Sequence, residues 1–301
     1  MNVISASRRT DIPAFHHQWF MNRVREGYVR VVSPFGRGEH IVSLTPEEVI
    51  AIVFWTKNAG PLLPSLDELV DRGHCFTFLY TVNAYPRFIE PEVPEQCHTL
   101  SVLESMAKRF PESVVRWRYD TIVLTEDLDR QWHVTNFRSL CERLSPFTSE
   151  CIISFCDYYR KTIAHMKRRV PDHRRPDEAQ CRDMAEEMAE VAAESSIRVL
   201  SCAHEFLVSE RIDRARCIDP EVLAKVVDSR SRAEAAAGLK RAPSRPECNC
   251  VASRDIGAYD TCGHGCVYCY ANSDPERARD NVRLLSVDSD CLDPRANQGQ
   301  G

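Results

Sequence analysis

Short apolar runs, rich in β-branched and aromatic residues, recur along the chain with polar stretches between them. They occupy residues 3–6, 28–32, 41–43, 52–55, 76–82, 114–117, 152–155 and 199–201. Most are continuous rather than alternating, as expected of strands buried on both faces. The longest, residues 49–55, has the length of a buried strand and is far too short to span a bilayer. Helical signals lie between most of these runs. Thr45, Pro46, Glu47 and Glu48 read as a capping box with proline at the first helical position, and Ser65 with Glu68 as another. Phe137, Leu140, Cys141 and Leu144 mark one helical face. Pro176, Asp177 and Glu178 open a helix carrying Met184, Met188 and Val191, and Asp274, Pro275 and Glu276 start a last one. Strand–helix alternation predicts parallel βα units, hence an α/β barrel or a doubly wound sheet. A chain of 301 residues has room for two domains, but a single α/β barrel also reaches this size.

Several runs end in polar clusters. Ser7, Arg8, Arg9, Thr10 and Asp11 follow the first; Thr56, Lys57 and Asn58 follow Trp55; Arg118, Tyr119 and Asp120 follow Trp117. Cys156, Asp157 and Tyr158 follow Phe155, and Cys202, Ala203, His204 and Glu205 follow Ser201. The C-terminal ends of parallel strands share one face, where barrel active sites form. One such cluster merely caps a helix; a series of them favours a site.

A net charge of −5 argues against a strongly basic nucleic-acid binder. Lys167, Arg168, Arg169, Arg174 and Arg175 read as solvated helix ends. The N-terminus lacks the basic region and apolar core of a signal peptide, so a cytoplasmic protein with no membrane partner is expected. Residues 228–247 read as a helix followed by a linker, and residues 291–301 as a disordered tail after one domain spanning 1–290.

Fourteen cysteines are many for a reducing compartment and point to metal or redox chemistry. Cys262, Cys266 and Cys269 have the spacing C-x3-C-x2-C, with Gly263 and Gly265 letting the backbone wrap closely. Three thiolates on one loop can cap three corners of a 4Fe–4S cubane and leave the fourth iron open. The alternative is a zinc site, using these cysteines with His264 or with a thiol from Cys248 or Cys250. Cys202, Cys217, Cys248 and Cys250 offer the ligands of a second, auxiliary cluster, or are buried thiols packing as small hydrophobes. Cys75, Cys97, Cys141, Cys151, Cys156, Cys181 and Cys291 read as packing or surface residues. His16 and His17 are adjacent and point apart.

This triad, with Tyr268 before its third cysteine, resembles the signature of the radical S-adenosylmethionine superfamily. There the cofactor chelates the open iron, and its reductive cleavage yields a 5′-deoxyadenosyl radical. The superfamily carries the motif after its first barrel strand, whereas here it follows residue 260. Residues 255–261 would then be that strand, displaced to the end of the chain. With residues 5–13, 54–58 and 255–272, the chain is similar to the DUF1848 family, whose cysteine cluster is C-terminal. The resemblance implies a single-domain, circularly permuted, partial TIM-type barrel with its cluster segment at 248–272. Thr56 with Lys57, and Arg118 with Tyr119 and Asp120, also resemble strand ends of spore photoproduct lyase relatives. By that likeness Arg8, Arg9, Asp11 and Tyr268 bind cofactor, while Lys57, Arg118 and Asp120 are catalytic. The implied partners are S-adenosylmethionine, an electron donor such as flavodoxin or ferredoxin, and an unknown, small-molecule substrate. A DNA-repair enzyme of the lyase kind is the alternative, against which the acidic balance counts.

Overall fold

The computed structural model describes residues 1–34 and 38–297. Ten strands run in chain order: β1 (Asn2–Ala6), β2 (Tyr28–Val32), β3 (Glu39–Ser43), β4 (Val49–Thr56), β5 (Phe76–Thr81), β6 (Val115–Ile122), β7 (Glu150–Phe155), β8 (Arg198–Ser201), β9 (Ile212–Arg214) and β10 (Arg254–Asp255). The α-helices are α1 (Ile12–Phe15), α2 (His17–Glu26), α3 (Leu66–Asp71), α4 (Gln96–Arg109), α5 (Arg130–Leu144), α6 (Arg160–Arg169), α7 (Glu178–Glu194), α8 (Pro220–Val226), α9 (Arg230–Ala237), α10 (Pro275–Leu284) and α11 (Pro294–Asn297).

Eight strands form one sheet in the order β10-β1-β4-β5-β6-β7-β8-β9, and every pairing is parallel. The sheet is open. Its edges are β10 and β9, and among the described residues no pairing joins them, so a closed TIM-type barrel is not found. These edge strands are two and three residues long, which leaves little backbone to pair.

Alternate residues of the central strands feed two separate cores, as a period of two requires. Ile4, Ile52, Phe54, Phe78 and Tyr80 meet Phe20 of α2, Leu103 of α4, Phe137 of α5 and Met184 of α7. Val3, Ala51, Val53, Leu79 and Ile152 meet Leu223 of α8 and Ala236 of α9. Burial on both faces accounts for the unbroken apolar runs.

Five expectations are corrected. Tyr28–Val32 and Glu39–Ser43 do not join the parallel sheet but pair with each other as an antiparallel ribbon. Its first strand alternates half-buried with buried residues because only one face packs. Residues 45–48 make a turn, not a helix, because β4 begins at once with Val49. Of residues 255–261 only Asp255 is strand. The tail is ordered through residue 297: Leu292 is buried, Asp290 pairs with Arg30 at 2.8 Å, and Trp19 Nε1 donates to Ser289 O at 2.7 Å. Residues 298–301 of that tail lie outside the described residues. The capping box expected at Ser65 makes no side-chain bond to α3, whereas Asp177 and Gln180 form a reciprocal one on α7. Among the described residues no helix is long and apolar enough to cross a membrane.

His133 of α5 fixes part of this core. It is buried, its Nε2 donates to Val123 O at 2.9 Å, and its Nδ1 accepts from Tyr119 Oη at 2.8 Å. Burial lowers its pKa from 6.5 to about 4. The unfolded chain therefore binds more protons between these values, and stability falls as pH drops through that window. At pH 5 this one group should cost on the order of 2 kcal/mol relative to pH 7. Urea denaturation of the metal-free chain at both pH values should give a smaller difference for His133→Gln than for wild type; an unchanged difference refutes the assignment.

Candidate functional site

Parallel pairing brings the C-terminal ends of β1, β4, β5, β6, β7, β8 and β10 to one rim, over a cavity of about 740 Å³. That volume is typical of a site for a small molecule or cofactor. Every site residue expected from the sequence lines it: Arg8, Arg9 and Asp11; Lys57; Arg118 and Asp120; Cys262, Cys266, Tyr268 and Cys269; and Cys202, Cys217, Cys248 and Cys250. On β6 the strand period turns Arg118 and Asp120 into the cavity and Tyr119 into the core.

The first network fastens the end of β1 to β10. Asp255 accepts from Ser5 Oγ at 2.8 Å, Ser7 Oγ at 2.6 Å, Arg8 N at 3.0 Å, and Arg9 Nε and Nη2 at 3.1 and 2.9 Å. Burial pushes its carboxyl up, but Arg9 and these donors outweigh that and hold it below the usual range. Arg9 is thus committed to Asp255. Arg8 is freer: it lies over the Trp55 ring at 5.3 Å, and its Nη2 has no partner among the described residues. Gly257 follows directly, and a Cβ there would overlap the Ser7 side chain. Gly257→Ala should therefore dislodge Ser7, costing about 1–3 kcal/mol as overpacking does; a melting temperature equal to wild type would refute this packing.

The second network centres on Asp11, which is buried. Its Oδ1 accepts from Ala14 N at 3.0 Å and Thr56 Oγ1 at 2.7 Å, and its Oδ2 from Lys57 N at 2.7 Å. His264 Nε2 lies 2.8 Å from Oδ2. Both carboxylate oxygens are occupied, so Asp11 positions the cysteine loop against β4 and offers little to a ligand. His264, between the first two cysteines, belongs to this strut.

The third network was not legible as a unit. Lys57 Nζ pairs with Glu90 Oε1 at 2.8 Å, Asn83 Nδ2 donates to the same oxygen at 2.9 Å, and Tyr268 Oη donates to it as well. Burial pushes the Lys57 ammonium down, but Glu90 and the nearby Cys266 raise it above its ordinary value. Glu90 sits in an irregular stretch after β5, where no periodicity marks it. Asn83 also receives Asp120 N at 2.8 Å and donates to Asp120 O at 3.0 Å, coupling this network to β6. Asp120 itself is held by Arg118 and Ser154, and Arg118 Nε has no partner among the described residues.

The loop of Cys262, Cys266 and Cys269 is built tightly. Thr10 Oγ1 donates to Thr261 O at 2.8 Å, Asn272 Nδ2 to Cys262 O at 2.7 Å, and Val267 N to Ile89 O at 3.0 Å. Gly265 has a φ of +69°, the left-handed region glycine favours, and a Cβ on Gly263 would strike the Phe15 ring. Burial pushes the Cys262 thiol up to about 12 and raises Cys266 and Cys269 as well. Binding a metal there must displace protons. Among the described residues no group of three or more His, Cys, Asp or Glu is arranged to hold a metal ion as the side chains stand. A cubane asks less convergence of its ligands, because each thiolate meets a separate iron. The donor set, all thiol and all facing the cavity, suits such a group.

Elsewhere in the cavity lining, Cys202 Sγ lies 3.4 Å from Cys217 Sγ. Cys248 and Cys250 line the same wall. Cys156, expected only to pack, also reaches the cavity, whereas Cys141, Cys151 and Cys181 lie in the main core.

The family described as a domain of unknown function, DUF1848, matches residues 3–271. The chain belongs to the DUF1848 family. That span covers both ends of the DUF1848 rim, from the first strand to the residues just past the cysteine triad. No curated protein and no solved structure matches the chain.

Proposed function

We propose that this DUF1848 protein is a radical S-adenosylmethionine enzyme whose Cys262, Cys266 and Cys269 hold a 4Fe–4S cluster. One observation carries the reading. The strand that feeds the triad, β10, pairs in parallel with β1 at Ile4↔Arg254 and Ser5↔Asp255. The cysteine loop therefore follows a terminal strand of a parallel sheet, and every later strand of the sheet lies on one side of it. Parallel pairing of β10 with β1 supports reading the sheet as a permuted partial barrel, and proximity of the two segments makes such a permutation tolerable.

A cluster held by Cys262, Cys266 and Cys269 would supply the one-electron chemistry needed to cleave a sulfonium ligand reductively. The chain's own residues do the rest. Asp11 and His264 fix the loop. Lys57 and Glu90 seat Tyr268 beside it. Arg8, stacked on Trp55, presents an unpaired N–H to a carboxylate or other anion in the cavity. Arg118 and Asp120 face the same space from β6 as candidate substrate contacts. Trp55, Tyr259 and Tyr270 add aromatic surface to the cavity lining.

The test is anaerobic reconstitution with iron and sulfide, followed by reduction and addition of S-adenosylmethionine. The expected result is a brown protein that forms 5′-deoxyadenosine and whose electron paramagnetic resonance spectrum shifts when S-adenosylmethionine binds. A colourless protein with stoichiometric zinc overturns the reading.

A further inference from the structure

We propose that Cys202, Cys217, Cys248 and Cys250 hold a second metal centre, an iron–sulfur cluster at the wall of the same cavity. The four thiols are buried and come from three separate segments: the end of β8, the loop after β9, and the loop before β10. The backbone draws those segments together. Val251 N donates to Ile218 O at 3.2 Å, and Ala215 N to Ser201 O at 2.8 Å. Arg241 Nη2 holds Cys248 O at 2.9 Å.

The surroundings of the sulfurs differ from those of packing thiols. Ile218 N–H points at Cys250 Sγ from 3.4 Å, Ser244 Oγ at Cys248 Sγ from 3.7 Å, and Arg245 Nη2 at Cys202 Sγ from 4.0 Å. Donors aimed at sulfur stabilise thiolates and tune iron–sulfur centres. Arg118 and Arg245, which line the same wall, supply positive charge against a thiolate set. All four thiols belong to the second apolar core but also line the cavity, which Cys141 and Cys151 of the main core do not reach. A set made only of thiols takes zinc or iron–sulfur. Cys202 and Cys217, with sulfurs 3.4 Å apart, are spaced to share one metal atom, as pairs of cysteines do in a two-iron cluster, and all four line the cavity rather than lying sealed beneath it.

The site stands independently of the triad and is tested apart from it. The full chain is reconstituted anaerobically with ferrous iron and sulfide, alongside one variant with Cys262, Cys266 and Cys269 all replaced by alanine and another with Cys217→Ala and Cys250→Ala. Each variant is expected to keep about half the wild-type iron and sulfide, with thiolate-to-iron absorption retained. Triad-variant iron equal to wild type defeats the first cluster alone. Iron in the Cys217/Cys250 variant equal to wild type, or a folded triad variant that binds no iron or only zinc, overturns the second. Should a multiple variant fail to fold by circular dichroism, Cys217→Ser in the otherwise intact chain decides: the proposal requires an altered resonance from one of two cluster signals, and an unchanged spectrum defeats it.

Discussion

Cys266→Ala is expected to lower reductive formation of 5′-deoxyadenosine by at least about a thousandfold, a loss of more than ~4 kcal/mol of transition-state stabilisation. Cys266 is the middle ligand of the proposed cluster and lies beside Lys57 at the centre of the rim. Losing one of three thiolates leaves too few ligands to retain a cubane with one open iron. Cys97→Ala on α4 is the control, because that thiol is exposed and outside the cavity. Its turnover should match wild type. Turnover by Cys266→Ala near the wild-type rate would falsify the ligand assignment.

Glu90→Ala is expected to destabilise the fold by about 3–5 kcal/mol, the cost of stranding one member of a buried ion pair. Glu90 is almost fully enclosed, and its Oε1 gathers Lys57, Asn83 and Tyr268. Removing it leaves an ammonium and two donors unpaired in a dry place. The double variant Glu90→Leu with Lys57→Met removes both charges and should recover much of that loss. Denaturant unfolding of Glu90→Leu, Lys57→Met and the double gives the coupling directly. Additive losses in that cycle would mean the pair contributes no coupling energy. The double variant should still lose turnover, since Tyr268 then lacks its anchor beside the cysteines.

The positions gathered on the rim were legible from the ends of the apolar runs. Arg118 and Asp120 could be placed on a rim because charged groups at the end of a buried strand must emerge into water or a polar cavity, and both line the cavity. The central strands were equally clear, since two-sided burial demands continuous apolar runs such as Val49–Thr56. Where burial was one-sided, the same cue misled: Tyr28–Val32 has the right residues but forms a ribbon apart from the sheet. The turn at residues 45–48 carries a good helix-start sequence, overridden by the strand that begins at Val49. Glu90 was invisible because its role comes from long-range convergence. Its partners Lys57 and Tyr268 lie on separate segments, and no local spacing encodes that meeting. The strut from Asp11 to His264 is of the same kind: each residue was singled out, but their contact spans the length of the chain.

The pairing of β10 with β1 also sets the order in which the molecule is finished during translation. N-terminal portions emerge and fold first, so the outer edge of β1 stays open until residues 254–255 arrive. An uncovered edge invites pairing with other chains. The nascent protein therefore depends on a late-made segment to seal that flank, and the cysteine triad reaches its place beside β1 only after that segment has emerged. A ribosome stalled before residue 254 would display a nearly complete sheet with an adhesive border and no cysteine loop.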